Sequence, residues 1–371
     1  MRVSFSSIAC LWLMVIPSAA APPATRNAFL IITDGLRWQE VFGGADERMI
    51  SKDQGVDNPE ALRAQFWRET PEERRAALMP FFWSTIATRG QVYGNRNRGS
   101  HCQIINPVKV SYPGYSENFC GFPSAYVDGN KKVWNPDVTV FEWLHRKPEY
   151  AGRVAAFCGW DLFPYIFNTR RAGFPVDCGF GDTNFGVLSE RIETMNRVRR
   201  DTPYRWSAAP FDSFIFTPAL EWMKLNKPRV MFLGLGETDE WAHEGEYDQY
   251  LRAAHRVDGY LKELWETLQT MPEYAGTTSL IITCDHGRGG AEGCPPARVR
   301  EWRDHNRNVI GADETWIAVI GPDTPPLGER ADIGPVSNAQ IAATLAALLG
   351  EDYAGAEPRA GAALADALPA R

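Results

Sequence analysis

Three apolar runs of the chain stop at an aspartate: "FLIITD" ends on Asp34, "FLGLGETD" on Asp239 and "SLIITCD" on Asp285. Two of them reach a histidine soon after, in "DEWAH" at His243 and in "DH" at His286, and His305 stands in "WRDHNRN" before the last apolar run. A lone aspartate after a strand is ordinary turn chemistry. Acids in the first turn of a helix are equally ordinary, because the helix dipole favours them. Three carboxylates and three imidazoles drawn from remote positions need a different account. Asp239 and His243 are four residues apart, so on a helix they share one face. Hard carboxylate oxygens mixed with borderline imidazole nitrogens suit two adjacent divalent cations, zinc best and manganese as the alternative.

A metal pair needs a group to act with. The stretch "NPVKVSYPGYSENFCGFP" (106–123) places Ser111 at the end of a β-like run, where Pro113-Gly114 turns the chain into a helical segment. A serine at such a turn points its hydroxyl outward, and both a cation and the helix N-terminus favour its alkoxide. A turn serine without chemistry is the competing account, and Ser100 and Ser116 are local competitors. His145 and His255 lie inside helical patterns and read as packing residues; His101 in "GSHCQ" has no ligand spacing.

The elements that must hold these residues alternate. The β-rich runs are 27–35, 153–161, 229–239, 277–287 and 315–323, each continuously apolar, as strands covered on both faces are. Helical patterns occupy 138–147, 247–269 and 337–350, the last opening with Ser337 and Gln340 in capping-box spacing and closing on Gly350. The expected class is α/β, a mostly parallel central sheet sandwiched by helices. In such a sheet the carboxyl ends of the strands share one edge, so Asp34, Asp239 and Asp285 would converge there. The segments 44–82 and 160–215 fit the alternation poorly and read as inserted cap segments, the second shaping a substrate site. The tail 354–371, rich in Ala and Pro, reads as poorly ordered. The whole of 21–371 is expected to be one domain.

Length and composition bound the rest. With 371 residues, 44% of them hydrophobic, the chain can bury a large core. Its formal charge of −7 and the absence of a long Lys/Arg cluster argue against binding to a nucleic-acid duplex. The N-terminus carries Arg2, an apolar core "IACLWLMVI" (8–16) and the small residues "PSAAAPP", the order of a secretory signal peptide over 1–20. That core falls short of the roughly 20 residues a membrane span needs, so no span is expected after cleavage. A periplasmic or secreted location follows, and the six cysteines beyond Cys10 would then meet oxidising conditions. Cys158 and Cys178 are the preferred pair, with Cys284 alternatively a buried thiol. No Cys-x-x-Cys spacing marks a thiolate zinc site.

The ordered set of Asp34 in "ITDGLRW", Ser111 in "VSYPGYSE", Asp239 and His243 in "TDEWAH", Asp285-His286 in "CDHG" and the late His305 resembles the motifs of the alkaline phosphatase superfamily. The type I phosphodiesterase/nucleotide pyrophosphatase and phosphoglyceromutase-like branches are the most similar, over about 27–350. The resemblance implies an alkaline phosphatase-like fold and a hydrolase of phosphoesters, diesters or nucleotide-like esters, with a small phosphorylated substrate. It implies that Asp239, His243 and His305 hold one metal, which activates water. Asp34, Asp285 and His286 would hold the second, which lowers the pKa of Ser111, the nucleophile that becomes a phosphoserine. Asn130 falls where diesterases of the family place an asparagine that bonds a phosphoryl oxygen. Arg37, Lys109 and Arg288 are candidate phosphate contacts, each equally compatible with a solvated surface charge.

Two departures from the family pattern stand out. Ser111-Tyr112-Pro113-Gly114-Tyr115 replaces Thr-Phe-Pro-Asn-His, and Asn306 follows the late histidine where glycine is usual. A sulfatase is disfavoured because Ser111 lacks the C/S-x-P-x-R context, and a phosphoglycerate mutase because no large second domain is visible. A phosphomonoesterase, or a non-catalytic domain that keeps metals for folding, are the alternative readings.

Overall fold

The computed structural model describes residues 24–290 and 294–369, so the signal segment expected at 1–20 lies outside the described residues. In chain order the strands are β1 (Asn27–Thr33), β2 (Gln91–Tyr93), β3 (Cys102–Gln103), β4 (Val154–Cys158), β5 (Val176–Asp177) and β6 (Val230–Leu235). They continue with β7 (Thr278–Thr283), β8 (Glu314–Thr315), β9 (Ile317–Ile320), β10 (Gly328–Glu329) and β11 (Val336–Ser337). Eight of them form one sheet in the order β10-β2-β9-β7-β1-β6-β4-β5, and β11-β3-β8 make a small second sheet.

The continuous apolar strands are explained by two separate cores. Along β1, Phe29 and Ile31 join one cluster while Ala28, Leu30 and Ile32 join the other; along β6, Met231, Leu233 and Leu235 oppose Val230 and Phe232. Side chains alternate across a strand, so a sheet covered on both faces must be apolar at every position. The helices Tyr247–Thr270 and Ser213–Asn226 cover the first face, together with Met49, Phe66, Leu78 and Phe82 from the segment 44–82. Helices Ser111–Cys120, Val140–His145 and Ile341–Leu348 cover the second. Full burial of each such Leu, Ile or Phe contributes about 1.5–3 kcal/mol, so the two layers hold the strand ends in fixed positions.

The site depends on β7-β1-β6. These neighbours are parallel, with Ile32 opposite Thr283 and Thr33 opposite Leu235, so all three finish at one edge. The run 315–323 reads like the others in composition yet behaves differently: β9 within it is antiparallel to β7, pairing Leu280 with Ile320. Apolar content reports burial on two faces and carries no information on direction. The predicted opening of the last long helix is present, Gln340 accepting the Ser337 N–H at 3.0 Å.

Two expectations are corrected. The tail is packed as far as Leu368: Leu364 and Ala367 are buried, Gly361 donates to the Gly121 carbonyl at 2.9 Å, and Leu364 donates to Thr344 Oγ1 at 2.9 Å. Small residues let it lie close against the helix Ser111–Cys120 and the helix Ile341–Leu348. The six described cysteines are all free thiols, so Cys158 and Cys178 are not bonded. Cys158 instead points at the backbone, its Sγ 3.3 Å from the Asp177 carbonyl, and Cys284 is fully buried.

Candidate active site

Ser111 is the first residue of its helix, preceded by an extended Val110 at φ −133°. The helix can approach the end of β7 because position 114 is glycine: a Cβ there would lie 2.3 Å from the Asp285 carbonyl oxygen. That approach leaves Ser111 Oγ 3.3 Å from His286 Nε2. The loop before the serine is stapled from within the same helix. The Glu117 carboxylate accepts the N–H groups of Ile105 and Asn106, both at 2.8 Å, and the Asn106 amide at 2.9 Å. Asn106 Oδ1 in turn accepts from Val108 at 3.2 Å and Lys109 at 2.8 Å. Burial pushes the Glu117 carboxyl up to about 7, against the pull of these hydrogen bonds.

The six predicted ligands come together in two groups, Asp34 with Asp285 and His286, and Asp239 with His243 and His305. Within each group the donor atoms lie within 4.8 Å of one another. His286 Nε2 is 3.3 Å from Asp34 Oδ1 and 3.4 Å from Asp285 Oδ2. In the other group His243 Nε2 is 3.2 Å from Asp239 Oδ2 and 3.0 Å from His305 Nε2. The backbone sets the tautomers. His286 Nδ1 lies 3.0 Å from the Gly287 carbonyl and His305 Nδ1 3.2 Å from that of Lys109. A carbonyl only accepts, so each Nδ1 donates and each Nε2 of the neutral ring offers its lone pair inward.

This donor set fits divalent cations. Asp34 Oδ1 and Asp285 Oδ2 are buried without a hydrogen-bond partner, an arrangement whose cost a cation would remove. Burial, then the Asp34 charge, drives the Asp285 carboxyl well above the usual carboxylate range. Burial opposes charge on His286, but Asp285 and Asp34 outweigh it and carry the imidazole up to about 9. Both shifts have one meaning: with protein groups alone the cluster holds protons that a bound cation would displace. Burial and the His286 charge lower His305 well below the ordinary imidazole value.

The two groups open into a cleft of about 190 Å³, lined also by Ser111, Asn130, Tyr115, Trp160, Phe163 and Glu240. Asn130 Oδ1 accepts the Tyr112 N–H at 2.9 Å, which directs its NH2 group away from that bond. Tyr115 donates to Asp34 Oδ2 at 3.0 Å. Glu240 is raised to about 7 by burial and by the Asp34 charge.

The candidate phosphate cations are placed elsewhere. Arg37 is fully buried, its guanidinium paired with Glu40 and donating to the Gly289 carbonyl at 2.9 Å. Lys109 pairs with Asp313 at 2.9 Å. Arg288 is fully buried and bonded to Asp239. None of the three lines the cleft. Arg37 and Arg288 are paired inside the core, whereas Lys109 and Asp313 are part-exposed.

The competing serines are likewise structural: Ser100 Oγ accepts from Gly94 N at 3.0 Å, and Ser116 Oγ from Asn135 Nδ2 at 3.1 Å. Tyr115, Trp160, Phe163 and Glu240 were not singled out for the site. Tyr115 is four residues after Ser111 on one helical face, and Trp160 follows β4 at the same sheet edge, so spacing and strand-end position carried the signal.

The model of the type I phosphodiesterase / nucleotide pyrophosphatase family matches residues 51–346. Among solved structures, the alkaline phosphatase PafA superimposes with a TM-score of 0.60 at 10% identity, covering 95% of this chain and 100% of that one. The lipoteichoic acid synthase LtaP from Listeria monocytogenes has a TM-score of 0.55 at 14% identity, covering 89% of this chain and 73% of its own. The phosphonate monoester hydrolase SpPMH from Silicibacter pomeroyi has 0.54 at 13%, covering 94% and 78%. No curated protein matches. At these identities the structures show the shared fold, and the family model adds the family. The chain belongs to the type I phosphodiesterase / nucleotide pyrophosphatase family and is a hydrolase of phosphoester bonds.

Proposed function

We propose that this protein is an exported phosphodiesterase that works through a phosphoserine at Ser111, with two divalent metal ions, zinc before manganese. The observation that carries the diester reading is the charge of the cleft. Neither Lys nor Arg is among its described lining residues, whereas Glu240 is. A phosphomonoester brings two negative charges and needs cationic side chains to offset them; a diester brings one. Trp160 and Phe163 give the leaving group an apolar wall.

Divalent cations held by the two ligand groups would favour the serine alkoxide and offset charge on the entering and leaving oxygens. The chain's own residues supply the rest. Ser111 Oγ, its proton lost to solvent, forms the bond to phosphorus while the opposite ester bond breaks. The leaving alkoxide takes a proton from solvent. Asn130, fixed through its Oδ1, donates its NH2 group to a phosphoryl oxygen. Water then cleaves the serine–phosphorus bond of this intermediate, which still carries the second ester group, releasing the monoester and restoring the hydroxyl. Tyr115 holds Asp34 in place from the next turn of the helix.

The charge, apolar and small-residue order of 1–20 supports export; mass spectrometry of the native protein should find an N-terminus near Ala20. The function is tested with bis-p-nitrophenyl phosphate against p-nitrophenyl phosphate, each with and without chelator. The expected outcome is chelator-sensitive turnover with the higher kcat/KM on the diester. Preference for the monoester would turn the assignment to a phosphomonoesterase.

A further inference from the structure

Arg288 is an arginine with no exposed surface, lying two residues beyond His286. Its guanidinium spreads over three other segments. Nε donates to the Gly35 carbonyl at 3.2 Å, Nη1 to the Arg303 carbonyl at 2.7 Å and Nη2 to the Asp239 carbonyl at 3.2 Å. Nη2 also pairs with Asp239 Oδ1. Gly35 follows Asp34, and Arg303 stands two residues before His305. One side chain therefore ties together the backbone beside Asp34, Asp239 and His305 and is itself anchored next to His286.

The approach is built into the backbone. Gly35 has φ +58°, and a Cβ there would lie 2.7 Å from Arg288 Nε and 2.9 Å from Asp239 Oδ1. Glycine both adopts that conformation freely and leaves room for the guanidinium. A planar fork with five donors can serve carbonyls in several directions at once, which a lysine ammonium on a flexible stem does not reproduce. Its charge also lies against the carboxylates whose mutual repulsion would spread the two ligand groups apart.

We propose that Arg288 is a positioning residue that sets the spacing between the two ligand groups, so that both metal ions bind to an already assembled site. This rests on the two-metal reading above. Partners of metal ligands typically change metal affinity about 10–100-fold when removed, and here one partner serves both groups.

The test uses the full mature chain as wild type, Arg288→Gln and Arg288→Lys, stripped with chelator and titrated with zinc alone against a chromophoric competitor. Circular dichroism confirms the fold of each. Both variants are expected to bind both zinc ions about tenfold or more weakly, Arg288→Lys included, because a lysine keeps the charge but not the fork that spans the three carbonyls. Wild-type affinity in either folded variant overturns the proposal, as does weakening confined to one of the two ions. Where Arg288→Gln does not fold, Arg288→Lys decides; failure of both to fold, with or without zinc, assigns Arg288 to general packing and also overturns it. A wild-type chain that takes up no zinc would instead remove the two-metal reading itself.

Discussion

The imidazole of His286 lies flat against that of His305, ring centroids 3.7 Å apart and planes 10° from parallel. The two belong to different ligand groups, so the groups share a wall and should not lose their metals independently. His305→Ala removes one ligand and the surface that holds His286. Elemental analysis of the purified variant should find fewer than one zinc per chain, against about two for the wild type of a two-metal hydrolase. A variant that keeps one full equivalent would show that the stacked pair does not couple the groups.

Ser111→Ala should separate chemistry from assembly. The hydroxyl is 3.3 Å from His286 Nε2 but belongs to neither ligand group. Both metals should stay bound while kcat on a diester falls by about three orders of magnitude or more, as loss of a nucleophile does. Acid quench during turnover should trap at Ser111 in the wild type a phosphoryl group that still carries the second ester of the substrate. Phosphate recovered at Ser100 or Ser116 would contradict the geometry, since both hydroxyls are buried and committed to structural hydrogen bonds.

Glu117 makes stability depend on pH. Its folded carboxyl is pushed up to about 7, against an unfolded value of about 4.3. The native state therefore holds the proton more tightly, so this stabilisation is present below the unfolded value and is lost as pH rises through about 7. The span is worth at most about 4 kcal/mol. In chelator-treated protein, the melting temperature of Glu117→Gln should fall less between pH 5 and pH 8 than that of the wild type. Parallel profiles would show that Glu117 is ionised across that range.

Much of the ligand geometry was legible because it follows from two rules of spacing. Parallel strands end at one edge, which brings Asp34 and Asp285 together, and residues four apart share a helical face, which adds Asp239 and His243. What was not legible depends on partners remote in sequence. Arg37 looks like a free cation until Glu40 and the Gly289 carbonyl are placed around it. The direction of β9 leaves no mark on an apolar run, and Cys158 faces a carbonyl although its neighbour in sequence terms, Cys178, suggested a bridge. The composition of the tail, rich in alanine and proline, gives no sign of the order that packing of Leu364 and Ala367 supplies.

Glu240 provides the sharpest test of the substrate assignment. It lines the cleft beside Asp239 and adds negative charge where no lining Lys or Arg offsets it. A dianionic monoester should feel that charge more than a monoanionic diester does, because the repulsion scales with the charge on the phosphoryl group. Glu240→Gln keeps the shape and, in assays above the Glu240 value of about 7, removes the charge. The ratio of kcat/KM for bis-p-nitrophenyl phosphate to that for p-nitrophenyl phosphate should fall about threefold to tenfold, which corresponds to about 1 kcal/mol of differential electrostatics. Metal content is measured alongside and should remain at the wild-type value, so that a change in ratio reports the cleft and not the ligands. Higher ionic strength should shrink the difference between variant and wild type, as screening requires. An unchanged ratio in a fully metallated Glu240→Gln enzyme would mean that the charge of the cleft wall does not set the preference, and the diester reading would lose the observation that carries it.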